Sequence, residues 1–194
     1  MTARAQAVEA TRTSILDALV ELSMERLLPD IALDDVATRA GVSVQTVLRH
    51  FGSRDALFDA AMTHGQGAVA DERRAPVGEV EEAVRILMDH YEQRGRGVLL
   101  LLAQEQVDQR VMQITRDGRL LHRRWVEEVF EPFLPQAAAW RDEAVDLLVV
   151  ATDVYAWKLL RLDRALSRKA TEQRMHHLVR TVLAGLGQHP RSEP

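Results

Sequence analysis

The stretch Leu33-Asp34-Asp35-Val36-Ala37-Thr38-Arg39-Ala40-Gly41-Val42-Ser43-Val44-Gln45-Thr46-Val47-Leu48-Arg49-His50-Phe51 reads as two short helices joined by a tight turn. Asp34 and Asp35 place acids in the first turn of the first helix, where they complement its positive end. Gly41 closes that helix, because a residue without a β-carbon enters the left-handed region without a clash. Ser43 then caps the second helix. Val36, Ala37 and Ala40, with Val42 in the turn and Val47 and Phe51 beyond it, are spaced to share one small core. Small Ala37 lets the two helices cross closely. Val44, Gln45, Thr46, Arg49 and His50 are left facing outward on the second helix, as groups able to reach base edges and phosphates.

Outward from this block the chain keeps a helical period. Val8, Thr11, Ile15, Leu16, Leu19 and Leu22 predict a first helix over about residues 7–26, ended by Pro29. Ser53 caps a fourth helix carrying Leu57, Phe58, Ala61 and Met62. A polar stretch between Gly65 and Gly78, with Asp71, Glu72, Arg73, Arg74 and Pro76, suggests a boundary. Two domains are therefore expected, residues 1–66 and 67–194. In the second, Val80 to Tyr91 form a stripe interrupted at Gly95 and Gly97, followed by a short helix over 98–106 and a long one over 111–133. The segment 137–166 is apolar nearly all round between Ala144 and Ala151, as in a helix covered on most sides. Met175, Leu178, Val179, Val182, Leu183 and Leu186 mark a final helix, frayed at Gly185 and Gly187. No run has the alternation of a strand, and no repeat or low-complexity tract is present. The fold class is all-α, with about nine helices.

Composition narrows the chemistry. The 194 residues contain no cysteine, which removes disulfides, zinc-thiolate sites, iron–sulfur clusters and thiol nucleophiles. A reducing cytoplasmic setting is expected. The longest apolar run, Val98 to Ala103, is far too short to cross a bilayer, so no membrane partner is expected. The amino terminus lacks the basic, apolar and small-residue order of a secretion signal. No histidine follows a glutamate by three positions, and His-Glu-x-x-His, a Walker A loop, a dinucleotide fingerprint and a nucleophile elbow are all missing. His176 and His177 are adjacent and so point to different sides of a helix. No metal, cofactor or enzymatic activity is expected.

The net charge of −4 at first speaks against nucleic acid. Location changes that reading. Residues 1–65 carry six arginines against nine acids, yet none of the acids falls between Val42 and Arg54. A locally positive face on an acidic body predicts few phosphate contacts and low indiscriminate affinity.

At this point the sequence resembles the TetR family of transcriptional regulators. The resemblance is carried by Thr11-Arg12 leading into Ile15-Leu16-Asp17-Ala18, by Asp34-Asp35-Val36-Ala37, by Gly41-Val42-Ser43, and by His50-Phe51-Gly52-Ser53-Arg54-Asp55-Ala56-Leu57-Phe58. It covers about fifty residues in order and spacing, and extends more weakly to Asp153-Val154-Tyr155-Ala156-Trp157-Lys158-Leu159-Leu160. It implies a three-helix DNA-binding domain with a helix-turn-helix, joined through the fourth helix to a helical ligand-binding and dimerisation domain. Two positions depart from the family pattern: Ala32 replaces a threonine or serine, and Leu48 a tyrosine, side chains that usually reach phosphates. Arg12, Arg39, Arg49 and Arg54 are the candidates to take over, and the DNA-binding set is completed by Ser43, Val44, Gln45, Thr46 and His50.

The resemblance further implies a repressor that binds a near-palindromic operator in double-stranded DNA as a homodimer and is released by a small molecule. The last two long helices are expected to pair across a two-fold axis as a four-helix bundle. Candidate effector-lining residues are the apolar Met88, Tyr91, Leu102, Met112, Trp125, Phe130 and Trp157 and the polar Gln106, His122 and Asp153, each of which also reads as ordinary core or surface. The rival readings are a helical protein-interaction adaptor and, within DNA binding, an activator.

Overall fold

A computed structural model describes residues 3–186; Gly187, expected to loosen the last helix, lies outside them. Helices α1 (Ala3–Glu25), α2 (Leu33–Ala40), α3 (Val44–Phe51) and α4 (Arg54–Glu72) are followed by α5 (Val80–Leu102), α6 (Gln109–Val129), α7 (Ala138–Thr152), the short α8 (Val154–Lys158) and α9 (Arg168–Leu186). Among the described residues there is no strand. The fold is all-α, as the periodicity requires.

The described residues divide into two compact units, one of residues 3–71 with 97–115 and one of residues 72–96 with 116–186. In the first, Ile15, Leu16, Leu19 and Leu22 of α1 bury against Val36 and Ala37 of α2, Val47 of α3, and Leu57, Phe58 and Ala61 of α4. Leu101 and Val111 join this core from the ends of α5 and α6. The intervening loop is tied in by a polar contact: the Gln104 carboxamide oxygen accepts from the Leu28 backbone N–H at 2.9 Å, and its amide group donates to the Leu100 carbonyl at 2.8 Å. Buried carbonyl and amide groups are thereby paired, as a dry interior demands.

The second unit is built from Val80, Val84, Leu87 and Met88 of α5, Val126 and Val129 of α6 with Phe130, Ala144, Val145 and Leu148 of α7, Trp157 of α8, and Met175 and Val179 of α9, all buried. Asp153 separates α7 from α8, its carboxylate accepting from the Tyr155 N–H at 2.8 Å. The expected single segment 137–166 is therefore two helices with an N-cap between them. Leu147 and Val150 of α7 are 46% and 67% exposed, so the apolar girdle between Ala144 and Ala151 is covered by this chain on one side only.

One expectation is corrected. α5 does not break at Gly95 and Gly97 but runs through both. A β-carbon at Gly97 would lie 2.5 Å from the Met24 β-carbon and 2.8 Å from its α-carbon, and one at Gly95 would lie 2.6 Å from the Trp157 ring. These glycines permit close approach; they do not interrupt the helix. The polar stretch after Gly65, expected to hold a boundary, begins as the continuation of α4, which runs to Glu72, and Arg73 directly after it is only 6% exposed.

Candidate nucleic-acid interface

α2 and α3 meet at Gly41, whose φ of 69° is the left-handed value that its lack of a β-carbon allows. Its N–H donates to the Ala37 and Thr38 carbonyls and so closes α2. At the start of α2, Ala32 has no side-chain acceptor to offer. Asp35 supplies the other half of a capping box by accepting from the Ala32 N–H at 2.9 Å, while Arg26 donates to its second oxygen at 3.0 Å. These two hydrogen bonds hold the Asp35 carboxyl below the usual range, the backbone one contributing most.

Ser43 performs the cap expected of it: its Oγ accepts from the Thr46 N–H at 3.2 Å and sits 3.0 Å from the Thr46 hydroxyl. With α3 started there, Val47 turns inward, 1% exposed, while Val44 and Phe51 pack partly against the same core. Gln45 and Arg49 are exposed one helical turn apart. Leu48 is 39% exposed and stands beside them on the outward face. His50 is half-buried, its ring 6.2 Å from that of Phe51. Thr46 is half-buried and tied to Ser43.

The remaining candidate arginines have structural work. Arg12 lies with its guanidinium 5.1 Å from the Phe51 ring centre. Arg39 is held by Glu25 at 2.7 Å and Glu21 at 3.2 Å, which in turn lowers the Glu25 pKa. Arg54 donates to the Leu28 and Ile31 carbonyls at 3.2 and 3.1 Å and stacks 4.2 Å from the Phe58 ring. Ser43, Val44, Gln45, Thr46, Arg49 and His50 are thus gathered on one short helix and its cap, with Arg12 reaching the end of that helix, whereas Arg39 and Arg54 are engaged within the unit. A surface groove of about 690 Å³ runs along α1, lined by Glu9, Asp17 and Glu21 together with Arg39. Its carboxylates oppose DNA, so it lies apart from this interface in chemistry as well as in lining.

Residues 15–61 match the family model of bacterial regulatory proteins of the tetR family. Over that stretch, which contains α2 and α3, the chain is similar to the TetR family. Solved structures extend the likeness to the whole TetR-type fold: a TetR-family transcriptional regulator from Streptomyces coelicolor (17% identity, TM-score 0.67, covering 96% of this chain and 92% of that one), a transcriptional regulator from Rhodococcus sp. Rha1 (20%, 0.63, 90% and 96%), and a TetR-family regulator from Mesorhizobium loti (17%, 0.62, 95% and 98%). At these identities the likeness is one of fold. No curated protein matches the sequence.

The expected effector-lining residues fall into two groups. Met88, Tyr91, His122, Trp125, Phe130, Asp153 and Trp157 all belong to the second unit; Leu102, Gln106 and Met112 belong to the first, where Gln106 and Met112 are exposed. Within the second unit the rings form chains of contact. Tyr91 and Trp157 lie 5.9 Å apart, His122 stacks on Trp125 at 5.8 Å, and Trp125 meets Phe130 edge-on at 6.0 Å.

A buried polar cluster threads these rings, and Arg73 and Thr152 are the members of it that the sequence does not single out as site candidates. The Arg73 guanidinium donates through Nη2 to His122 Nδ1 at 2.5 Å and lies 4.8 Å over the Trp125 ring, while its carbonyl accepts from the Trp125 indole N–H at 2.7 Å. His122 Nε2 donates to the Thr152 hydroxyl at 3.1 Å, which donates to the Leu148 carbonyl at 2.6 Å. Tyr91 donates to the Thr152 carbonyl at 2.8 Å. Burial, reinforced by Arg73, drives His122 down to about 3 and His90 down to about 4, so both rings are neutral. Burial also raises the Asp153 carboxyl. Among the described residues no His, Asp and Glu group could hold a metal ion, and no helix is long and apolar enough to cross a membrane.

Proposed function

We propose that this chain is a cytoplasmic repressor that binds a near-palindromic DNA operator as a homodimer and is released by a small molecule. The observation that carries the DNA-reading part is the outward face of α3, where Gln45, Leu48 and Arg49 are exposed together on a helix free of acids and started by a serine cap. Gln45 has the amide geometry for adenine and Arg49 the fork for guanine. Ser43 and the first N–H groups of α3 offer a phosphate site at the helix amino terminus. Arg12, His50, Val44 and Thr46 complete the contact set from the same end of the motif.

Dimerisation is supported by the apolar face that α7 and α9 leave open. α7 packs on α9 within the chain, and Leu147, Val150 and Leu178 still face outward. A second copy would cover that face as a four-helix bundle and hold two recognition helices about 34–36 Å apart. The effector acts on the second unit, and repression is relieved when it prefers the conformation whose recognition helices are wrongly spaced.

The test is selection of binding sites from random duplex DNA with the full chain, followed by titration of the recovered sequence. A palindrome with two half-sites one helical turn apart, bound by two chains, is expected. Recovery of no enriched sequence supports the adaptor reading, and a bound site whose reporter is raised in the presence of the protein supports activation.

A further inference from the structure

Arg73 is a buried charge with no ion-pair contact; the Asp153 carboxylate acts on it electrostatically without touching it. Its guanidinium has five N–H donors and one hydrogen-bond acceptor, the neutral Nδ1 of His122. Its Nε is fully buried and has no partner at all. No carboxylate lies within ion-pair distance of it among the described residues. Glu72, its neighbour in the chain, is committed to Arg94 at 2.5 Å and to His90 at 3.2 Å, and Asp153 is committed to the amino terminus of α8. The other groups that act on it besides Asp153 are Tyr91, which keeps its proton, the neutral imidazoles of His122 and His90, and the Trp125 ring. Buried charges in folded proteins are normally paired, because removing a cation from water is repaid only by an anion placed beside it.

We propose that Arg73 is the anchoring residue for the effector, and that the effector is a small organic carboxylate. The free Nε–H and the adjoining amino group form the planar fork that takes a carboxylate through two parallel hydrogen bonds. One guanidinium with no ion-pair contact and with Asp153 already acting on it matches at most a monoanion, whereas a phosphate dianion would leave surplus negative charge in the same buried site. The surrounding Trp125, Phe130 and Tyr91 rings suit an apolar or aromatic body attached to the carboxylate. Arg73 follows the last residue of α4, the helix that begins directly after the helix-turn-helix, so an anion drawn to it acts on the segment that ends α4. This inference rests on the reading of the second unit as the effector-binding one.

The experiment is thermal unfolding of the full chain with acetate and benzoate as probes, against acetamide, benzamide and inorganic phosphate at equal ionic strength. At least one carboxylate is expected to raise Tm saturably, with its amide and phosphate inactive in the same range. Arg73→Met is expected to weaken the response at least tenfold; should that variant not fold, Arg73→Lys, which keeps the charge and loses the fork, is expected to weaken it at least fivefold. No response to either carboxylate, an equal response to the amides, or an undiminished response in the folded variant overturns the assignment. Operator affinity measured on the same samples separates the two readings: carboxylate binding through Arg73 with unchanged operator affinity upholds the site and removes the release mechanism.

Discussion

Gly97→Ala is expected to destabilise the first unit although it improves the helix. In an unobstructed helix interior, alanine is favoured over glycine by about 0.5–1 kcal/mol. At position 97 the new methyl would sit 2.5 Å from the Met24 β-carbon and 2.8 Å from its α-carbon. Ordinary carbon contacts lie at about 3.5–4.0 Å, so roughly 1 Å of separation must be found. The Met24 side chain cannot supply it by rotating, because two of the obstructing atoms belong to the backbone or are fixed to it; α1 and α5 must move apart. Overpacking of this kind costs about 1–3 kcal/mol, which outweighs the helix gain and leaves a net loss of about 1–2 kcal/mol. Gly118→Ala is the matched control. It lies inside α6 with nothing within 4 Å of its added β-carbon, and should gain about 0.5–1 kcal/mol. Urea unfolding followed by circular dichroism reads both, with the two midpoints moving in opposite directions at similar m. A Gly97→Ala protein as stable as the parent would refute the close-packing account and return Gly97 to a merely permissive role.

Other consequences are equally open to measurement. Arg49→Ala should cost about 1–3 kcal/mol on the selected operator and relax preference at one base position in each half-site; equal loss on every sequence would reassign Arg49 to phosphate. Ser43→Ala, which removes the cap at Thr46 N, should lower stability by about 1 kcal/mol, while Ser43→Gly should lower it by only a few tenths. Because His90 and His122 have folded pKa values of about 4 and 3, well below the unfolded value, the unfolded chain binds more protons than the folded one between about pH 4 and 6.5. Stability should thus be flat above pH 7 and fall on acidification through that window, by about 2 kcal/mol per histidine between pH 7 and pH 5; His122→Gln should roughly halve the slope, and a parent protein equally stable at both pH values would contradict the neutral pair. Specific binding should show a shallow salt dependence, since only a few phosphate contacts per half-site are available, and a log–log slope steeper than about −8 would mean that basic groups beyond this face engage the backbone.

How far the sequence could be read differs between the two units for a physical reason. The helix-turn-helix is a local object. Acids at one helix end, glycine at φ > 0, a serine cap and an inward valine every turn all act within a few residues, so α2 and α3 are legible to within one residue of their bounds. Helical periodicity also shows which face of a longer helix is apolar, but it does not name the partner. That Leu101 and Val111 complete the core under α1 and α4 is a long-range fact with no local mark. Gly95 and Gly97 mislead for the same reason, since a glycine that breaks a helix and a glycine that admits Met24 or Trp157 look alike until the neighbour is known. Arg73 looked like linker because arginine is rarely buried. Its burial depends on His122, Trp125 and Thr152, which are distant in the chain.

The overall charge becomes consistent with DNA reading once the pairing of each group is followed. The first sixty-five residues are net acidic, yet much of that acid is spent internally: Glu21 and Glu25 on Arg39, Asp35 on Arg26, Asp17 on His64, and Asp55 on Arg110. These pairs are exposed and each adds little to stability. Their effect is to fix where charge of either sign is presented. Arg39 and Arg26 lose their availability for phosphate along with the acids they neutralise, which leaves Arg49 on the outward face of α3 as the cation presented there. A basic surface would hold DNA everywhere at once and blur the distinction between sites. A surface that spends most of its charges on itself and presents Arg49, Gln45 and Leu48 on α3, with Arg12 at the end of that helix, gains little from the backbone. On the proposed reading, discrimination then comes from base edges and, in a homodimer, from holding two such faces at one spacing, which would place the burden of affinity on the pairing of two chains.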